Sequence, residues 1–266
     1  MSNHLSTAGR KGHHEEPLLN RSLERGIEIL RAFRPGADLL GNGDIAERTG
    51  LSRATVSRLT QTLVAVGILQ HDRVQRAYRL APMVLSLAHA MRSGSPVMQV
   101  AAPLMRKAAE SLRINVGLAV ADRDEMVYLE SVRYNKKVAL RSVVAGQRVP
   151  IELTSLGFAY LSSLGDEERQ NTLLQIAEIR PASWQEAQLE IQKALLHHAK
   201  HGFCVASWQP EVVAVAAPLS IEGHPVLVLN MSLSTASPMR AVAKEMGPSL
   251  LRLKQEISSA LASARF

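Results

Sequence analysis

The sequence predicts an α+β chain in two parts. A small basic helical module with a hairpin is followed by a larger domain in which helices interrupt antiparallel-looking strands. Three observations predict this. The length of 266 residues suits one large or two modest domains, and 46% apolar and 21% charged residues are ordinary for a globular protein. The net charge of +7 is uneven: residues 1–94 hold 13 Lys/Arg against 8 Asp/Glu, while residues 95–266 hold 18 against 16. Helical spacing with one short hairpin runs up to Gly94-Ser95-Pro96, and strands and helices alternate beyond that break.

Composition also excludes several classes. The longest apolar run towards the C-terminal half spans 212–217, far short of the roughly 20 residues of a membrane span. Residues 1–16 hold no apolar core of a signal peptide, so no secretory signal is expected. Cys204 is the single cysteine, which excludes an intramolecular disulfide and a multi-cysteine zinc site; a reducing, cytoplasmic compartment is expected.

Residues 1–17 are polar and aperiodic and are expected to form a disordered tail. Asn20 suits the cap of a helix starting at Arg21, with Leu23, Ile27, Leu30 and Phe33 as its apolar face and Pro35-Gly36 as its end. A short helix over 45–49 follows, with Asp44 at the cap, then Gly50, then a helix over 53–66 capped by Ser52 and stopped by Gly67. Strands at 68–71 and 77–80 flank the polar tip DRVQR. Pro82 introduces a helix over 83–92.

In the second part the pattern predicts a helix over 97–112, with Val100, Leu104, Ala108 and Leu112 in register. Strands follow at 115–121, 126–132 and 139–144, then the turn AGQRVP and a helix over 155–164 capped by Thr154. Helices over 166–176 and 185–200, strands at 203–208, 213–219 and 226–234, and a helix over 238–264 complete the chain. The implied organisation is a tail (1–17), a small basic module (18–80), a linker helix (81–96) and a second domain (97–266).

Residues 45–59, IAERTGLSRATVSRL, carry the spacing of a helix-turn-helix. Ala46 is small where two helices approach, Gly50 suits a turn needing positive φ, and Ile45, Leu51, Val56 and Leu59 face a shared core. Ser52, Arg53, Thr55, Ser57, Arg58 and Thr62 then point outward, where arginine binds guanine edges or phosphate and hydroxyls reach phosphate. The hairpin tip with Arg73 and Arg76 would form a wing. Six arginines within 45–80 support a double-stranded DNA operator as partner, although a basic stretch is also compatible with solvated surface arginines.

GLSRATVSRLTQTL (50–63), VGIL (66–69) and YRLAPMVLSLA (78–88) resemble the DNA-binding half of IclR-type transcriptional regulators. VGLAVADRDEMVYLESV (116–132), GQRVPIELTSLGFAYL (146–161), HGFCVASWQPEVVAVAAPL (201–219) and VLNMSLS (228–234) resemble that family's effector domain, in the family's order. The resemblance implies a winged helix-turn-helix, a linker helix and a GAF/PAS-like α/β effector-binding domain. It also implies a homo-dimer or tetramer, a small carboxylate effector, and no cofactor, metal or catalytic residue. The turn PIELTSLG would hold the carboxylate at the amides of Ser155 and Leu156, at a helix N-terminus. The hydroxyl of Thr154 either joins it or caps the helix. Ser232 and Ser234 share one side of a strand, where family members line the pocket with serines; Ser207 and Glu211 precede the neighbouring strand, and Trp208 walls the pocket or packs in core. The sequence departs from the commoner pattern at Phe158, at Ala214-Val215 and in the stretch 202–211, whose single acid is Glu211. These departures point to a different effector, bulkier or aromatic.

His197 and His201 share a helical face at a metal-compatible spacing, but no third ligand is evident, and a polar helix end accounts for them equally. Cys204 reads as a small buried hydrophobe. The expected function is a DNA-binding regulator of a catabolic operon. An enzyme fused to a DNA-binding module would need a nucleophile–base or metal constellation, and a ligand-independent DNA-binding protein would need a pocketless core.

Overall fold

A computed structural model describes residues 19–134 and 144–264. The predicted tail (1–17) and most of the predicted strand at 139–144 lie outside them. The chain divides into two compact units, residues 1–87 and 88–266.

The first unit is built on α1 (Arg21–Arg31), α2 (Asn42–Thr49), α3 (Arg53–Ala65) and the hairpin β1 (Leu69–Asp72) and β2 (Ala77–Leu80). Asn20 caps α1 by accepting from the amides of Ser22 and Leu23, both at 3.1 Å. Half of the expected face of α1 turns inward, since Phe33 is buried and Leu30 packs against the core. Gly26, Ile29, Ala32 and Phe33 are buried, whereas Leu23 and Ile27 are 66% and 43% exposed. Ile29 and Phe33 pack with Leu40, Ile45, Val56, Leu69 and Tyr78 into one core. α2 starts three residues earlier than expected. Asp44 is therefore inside its first turn, and its carboxylate accepts from the Gly41 amide at 2.8 Å. Gly50 at φ 69° and Gly67 at φ 76° take the left-handed turns the sequence asks of them. Leu40 exchanges two backbone hydrogen bonds with Tyr78, which anchors the hairpin to the core.

α4 (Met83–Ser93) crosses from one unit into the next and has no buried residue. In the second unit, α5 (Pro96–Leu112) buries Val97, Met98, Ala101, Met105 and Ala109. That face lies one residue on from the expected one, and Leu112 is exposed. A six-stranded antiparallel sheet has the order β5-β4-β3-β8-β7-β6. Its strands are β3 (Asn115–Asp122), β4 (Glu125–Val132), β5 (Arg148–Pro150), β6 (Cys204–Gln209), β7 (Val212–Leu219) and β8 (Leu227–Ser234). β5 replaces part of the expected turn AGQRVP, because Arg148, Val149 and Pro150 pair with β4.

The two faces of the sheet have separate cores. α5 and α9 (Met239–Ser263) cover Val116, Leu118, Val215 and Leu229 on one face. On the other, α6 (Ser155–Ser163) and α8 (Trp184–His201) cover Ala119, Tyr128, Ala216 and Val228, beside α7 (Asp166–Ile179). Alternation along β8 sends 227, 229 and 231 to the first face and 228, 230 and 232 to the second.

Candidate functional site

In the first unit, Ser52 caps α3: its hydroxyl accepts from the Thr55 amide at 3.2 Å and meets Thr55 Oγ1 at 2.9 Å. Ile45 and Val56 are fully buried and hold α3 against α2. Arg53, Arg58 and Thr62 are consequently exposed on the outer side, with Thr55 and Ser57 half-buried between them. Thr62 spends its hydroxyl on the Arg58 carbonyl at 3.2 Å. Gln61, which the sequence reading left out, is also exposed beside Arg58. Arg48 is braced: its Nη1 donates to the Ala32 carbonyl at 2.9 Å.

The wing tip carries Arg73, Val74, Gln75 and Arg76, all exposed, with Val74 94% so. Asp72 shapes it by accepting from the amides of Val74 and Gln75 at 3.0 Å and from Arg79 Nη2 at 2.6 Å. The Gln75 amide, then the Val74 amide and Arg79, hold the Asp72 carboxyl below its ordinary value. Arg76 closes the turn at φ 50°.

In the second unit a cavity of about 70 Å³ opens on the α6/α8 face of the sheet. The start of α6 forms one wall. Thr154 donates to the Pro150 carbonyl at 2.8 Å and accepts from the Gly157 amide at 3.2 Å, so its hydroxyl is spent as the helix cap. Among the described residues the amides of Ser155 and Leu156 have no acceptor. Ion pairs stiffen the approach to this turn: Arg180 holds Asp124 at 2.5 Å and the buried Glu152 at 3.0 Å, and Arg148 holds Asp122 at 2.8 Å and Glu125 at 2.6 Å. Burial pushes the Glu152 carboxyl up, and Arg180 opposes it. Gly157 allows α6 to start here at all, because a Cβ would lie 2.0 Å from the Ile151 carbonyl oxygen.

The cavity brings together Thr154, Ser155, Leu156 and Ser232 from the sequence reading, and Trp208 as a wall. It does not bring in Ser207, Glu211 or Ser234. Ser207 is an exposed residue within β6, Glu211 takes the φ 60° position of the tight β6–β7 turn, and Ser234 is exposed at the end of β8. Tyr128, Val149, Ala206, Gln209, Val212, Ala214 and Asn230 also line it. Asn230 lies two residues before Ser232, so the alternation that singled out the serines also reaches it.

The remaining candidates are accounted for locally. His197 Nδ1 bonds the Phe203 carbonyl at 2.9 Å, and its ring lies tilted against that of His201 with centroids 4.5 Å apart. Cys204 donates to the Ala194 carbonyl, and burial raises its thiol to about 12. Among the described residues no group of three His, Cys, Asp or Glu could hold a metal ion, and no helix is long and apolar enough to cross a membrane.

Residues 22–73 match the family model of the IclR helix-turn-helix domain, and residues 88–259 match the bacterial transcriptional regulator IclR C-terminal model. The chain belongs to the IclR family. Among IclR-type relatives, the HTH-type transcriptional regulator TsaQ1/TsaQ2 of Comamonas testosteroni is 30% identical over all of this chain and 96% of its own. The Pca operon regulatory protein of Acinetobacter baylyi is 24% identical over 91% and 87% of the two chains. An IclR family regulator from Brucella abortus shares 35% identity and a TM-score of 0.84, with 91% and 93% of the chains covered. In this IclR regulator the α2–α3 pair and its hairpin are thus the family's DNA-binding domain, and the six-stranded sheet belongs to its C-terminal domain. These relatives are named as regulators, and the chain is a transcriptional regulator.

Proposed function

We propose that this regulator binds an operator through α3 and the wing and responds to a small carboxylate held in the α6/α8 cavity. Ser52, Arg53, Thr55, Ser57, Arg58 and Thr62 would face the major groove, and Arg73 and Arg76 the backbone or minor groove. Residues 81–96 would link the two activities. The observation that carries the effector reading is the pair of acceptor-less amides at Ser155 and Leu156, opening into a cavity shared with Ser232. Those N–H groups and the positive helix end attract an anion. Among the described residues no lysine or arginine lines the cavity, so the amides would supply that lining's main attraction for an anion.

The target would be a catabolic operon, a reading that the Pca operon relative supports. The protein would work in the cytoplasm as a homo-dimer or tetramer, since paired half-sites need at least two modules. α4, with Met83, Leu85, Leu87 and Met91 exposed, offers the apolar surface for a dimer contact. An effector acts by preferring one arrangement of the dimer and so shifting its affinity for the operator. Calorimetry of the full chain against a panel of small carboxylic acids tests the effector reading. Binding of at least one acid, weakened by Ser232→Ala with operator affinity intact, is expected. A panel without a binder overturns it.

A further inference from the structure

Tyr128 on β4 and Asn230 on β8 meet across β3, on the face that carries the cavity. Asn230 is in register with Gly117 of β3 and Tyr128 with Ala119, two residues on, so the Tyr128 ring reaches back over Gly117. A Cβ there would lie 2.4 Å from Asn230 Oδ1 and 2.6 Å from the Tyr128 ring, so the pair occupies space that only glycine leaves. Asn230 Nδ2 donates to the Tyr128 hydroxyl at 3.3 Å. That bond uses a phenol lone pair and leaves the phenol hydrogen without an acceptor among the described residues. Asn230 is 5% exposed, and its Oδ1 is buried with no hydrogen-bond partner. Buried polar atoms in native proteins are rarely left so, and a cavity-lining one invites a ligand group. Thus one buried donor and one buried acceptor belong to adjacent residues among those that line the cavity at the α6 amides.

We propose that Tyr128 and Asn230 read a hydroxyl group on the effector, which makes the ligand a hydroxylated carboxylic acid. This rests on the carboxylate reading given above. One oxygen serves both partners: the ligand hydroxyl donates to Asn230 Oδ1 and accepts from the Tyr128 O–H. The alternatives match less well. A second carboxylate would set its lone pairs against Oδ1, and an ammonium has nothing to accept the phenol hydrogen. Among the described residues no charged side chain lines the cavity, so neither ion would find a counter-charge in that lining. Burial raises the Tyr128 phenol to about 12, which keeps its hydrogen in place throughout the neutral range. A site that hydrogen-bonds a hydroxyl discriminates strongly against the analogue lacking it, because the analogue leaves buried polar groups unpaired.

The test is calorimetry on the full-length protein with acids in matched pairs: glycolate and acetate, 3-hydroxybutyrate and butyrate, 3-hydroxybenzoate and benzoate. The methyl ester of each hydroxy acid is included. At least one hydroxy acid is expected to bind about tenfold or more tighter than its partner. Tyr128→Phe is expected to bring that acid down to the level of its partner while leaving the partner's affinity unchanged. Asn230→Ala, whose fold is checked by circular dichroism, is expected to do the same. Equal affinity within every pair, or a preference that persists in both variants, overturns the proposal. If esters bind in a Tyr128-dependent way and no acid binds, the carboxylate reading fails and the hydroxyl site stands. If neither acids nor esters bind, both readings fall.

Discussion

Arg58 and Arg73 are both exposed, but they stand on different elements and are expected to fail differently when removed. Arg58→Ala is expected to cost about 1–3 kcal/mol of operator binding and to relax specificity at one base position. Arg73→Ala is expected to weaken binding to all sequences alike and to reduce the salt slope by about 1. Gel-shift titrations over a salt series on native and scrambled operators separate the two outcomes. Gly157 makes an opposite kind of demand, for space. Its Cβ-to-be lies 2.0 Å from one Ile151 atom and 2.3 Å from another, all backbone. Gly157→Ala must shift the start of α6 and is expected to lower stability by at least about 1–3 kcal/mol in urea titrations, with loss of effector binding. The outward arginines were legible from spacing alone, because helix geometry fixes which side chains face away. Tyr128 was not, because its place beside Asn230 depends on a strand pairing between residues far apart in sequence.

Local signals specified most of the elements. Asn20, Ser52 and Thr154 cap where their chemistry predicts, and Gly50, Gly67 and Gly202 turn where helices must end. What the pattern misplaced were buried faces. In α1 the large Leu23 and Ile27 make the stronger apolar stripe, yet Gly26 and Ala32 are the residues turned inward. Small residues allow close approach to the neighbouring element, and hydrophobicity alone does not weigh that. α5 shows the same effect with Ala101 and Ala109. The tip of the wing is shaped by one side chain. The Asp72 carboxyl sits below its ordinary value because the Gln75 amide bonds its charged form. A group with a lowered folded value stabilises above its unfolded value, and that contribution is lost as pH falls through the folded one. Hydrogen exchange at Val74 and Gln75 is therefore expected to speed up as pH drops below the ordinary carboxylate range, after correction for intrinsic rates. Asp72→Asn is expected to exchange at its own faster rate without that transition.

At the scale of the whole molecule, each unit holds its own core, so α4 is a helix whose apolar side chains neither core absorbs. Its C-terminal end is fixed: Arg92 bonds the Leu129 carbonyl and pairs with Glu130 at 2.8 Å. The Met83, Leu85, Leu87 and Met91 side chains remain exposed. Replacing Leu85 and Met91 by glutamate is expected to shift the protein to a lower-order species in light scattering while circular dichroism stays unchanged. An unaltered mass would remove α4 as the proposed dimer contact. The order of the large sheet bears on a different stage of the protein's life. β8, the last strand to be made, sits at the centre between β3 and β7. Emerging from the ribosome, the helix-turn-helix has every residue of its core within the first 80, whereas β3 pairs with β4 at once but must wait more than 100 residues for β8. During translation the nascent chain can thus acquire its DNA-binding half well before the C-terminal half closes. A ribosome stalled before residue 227 would display a folded DNA-binding unit followed by a sheet in two halves, β5-β4-β3 and β7-β6, with the β3 and β7 edges open to chaperones and proteases.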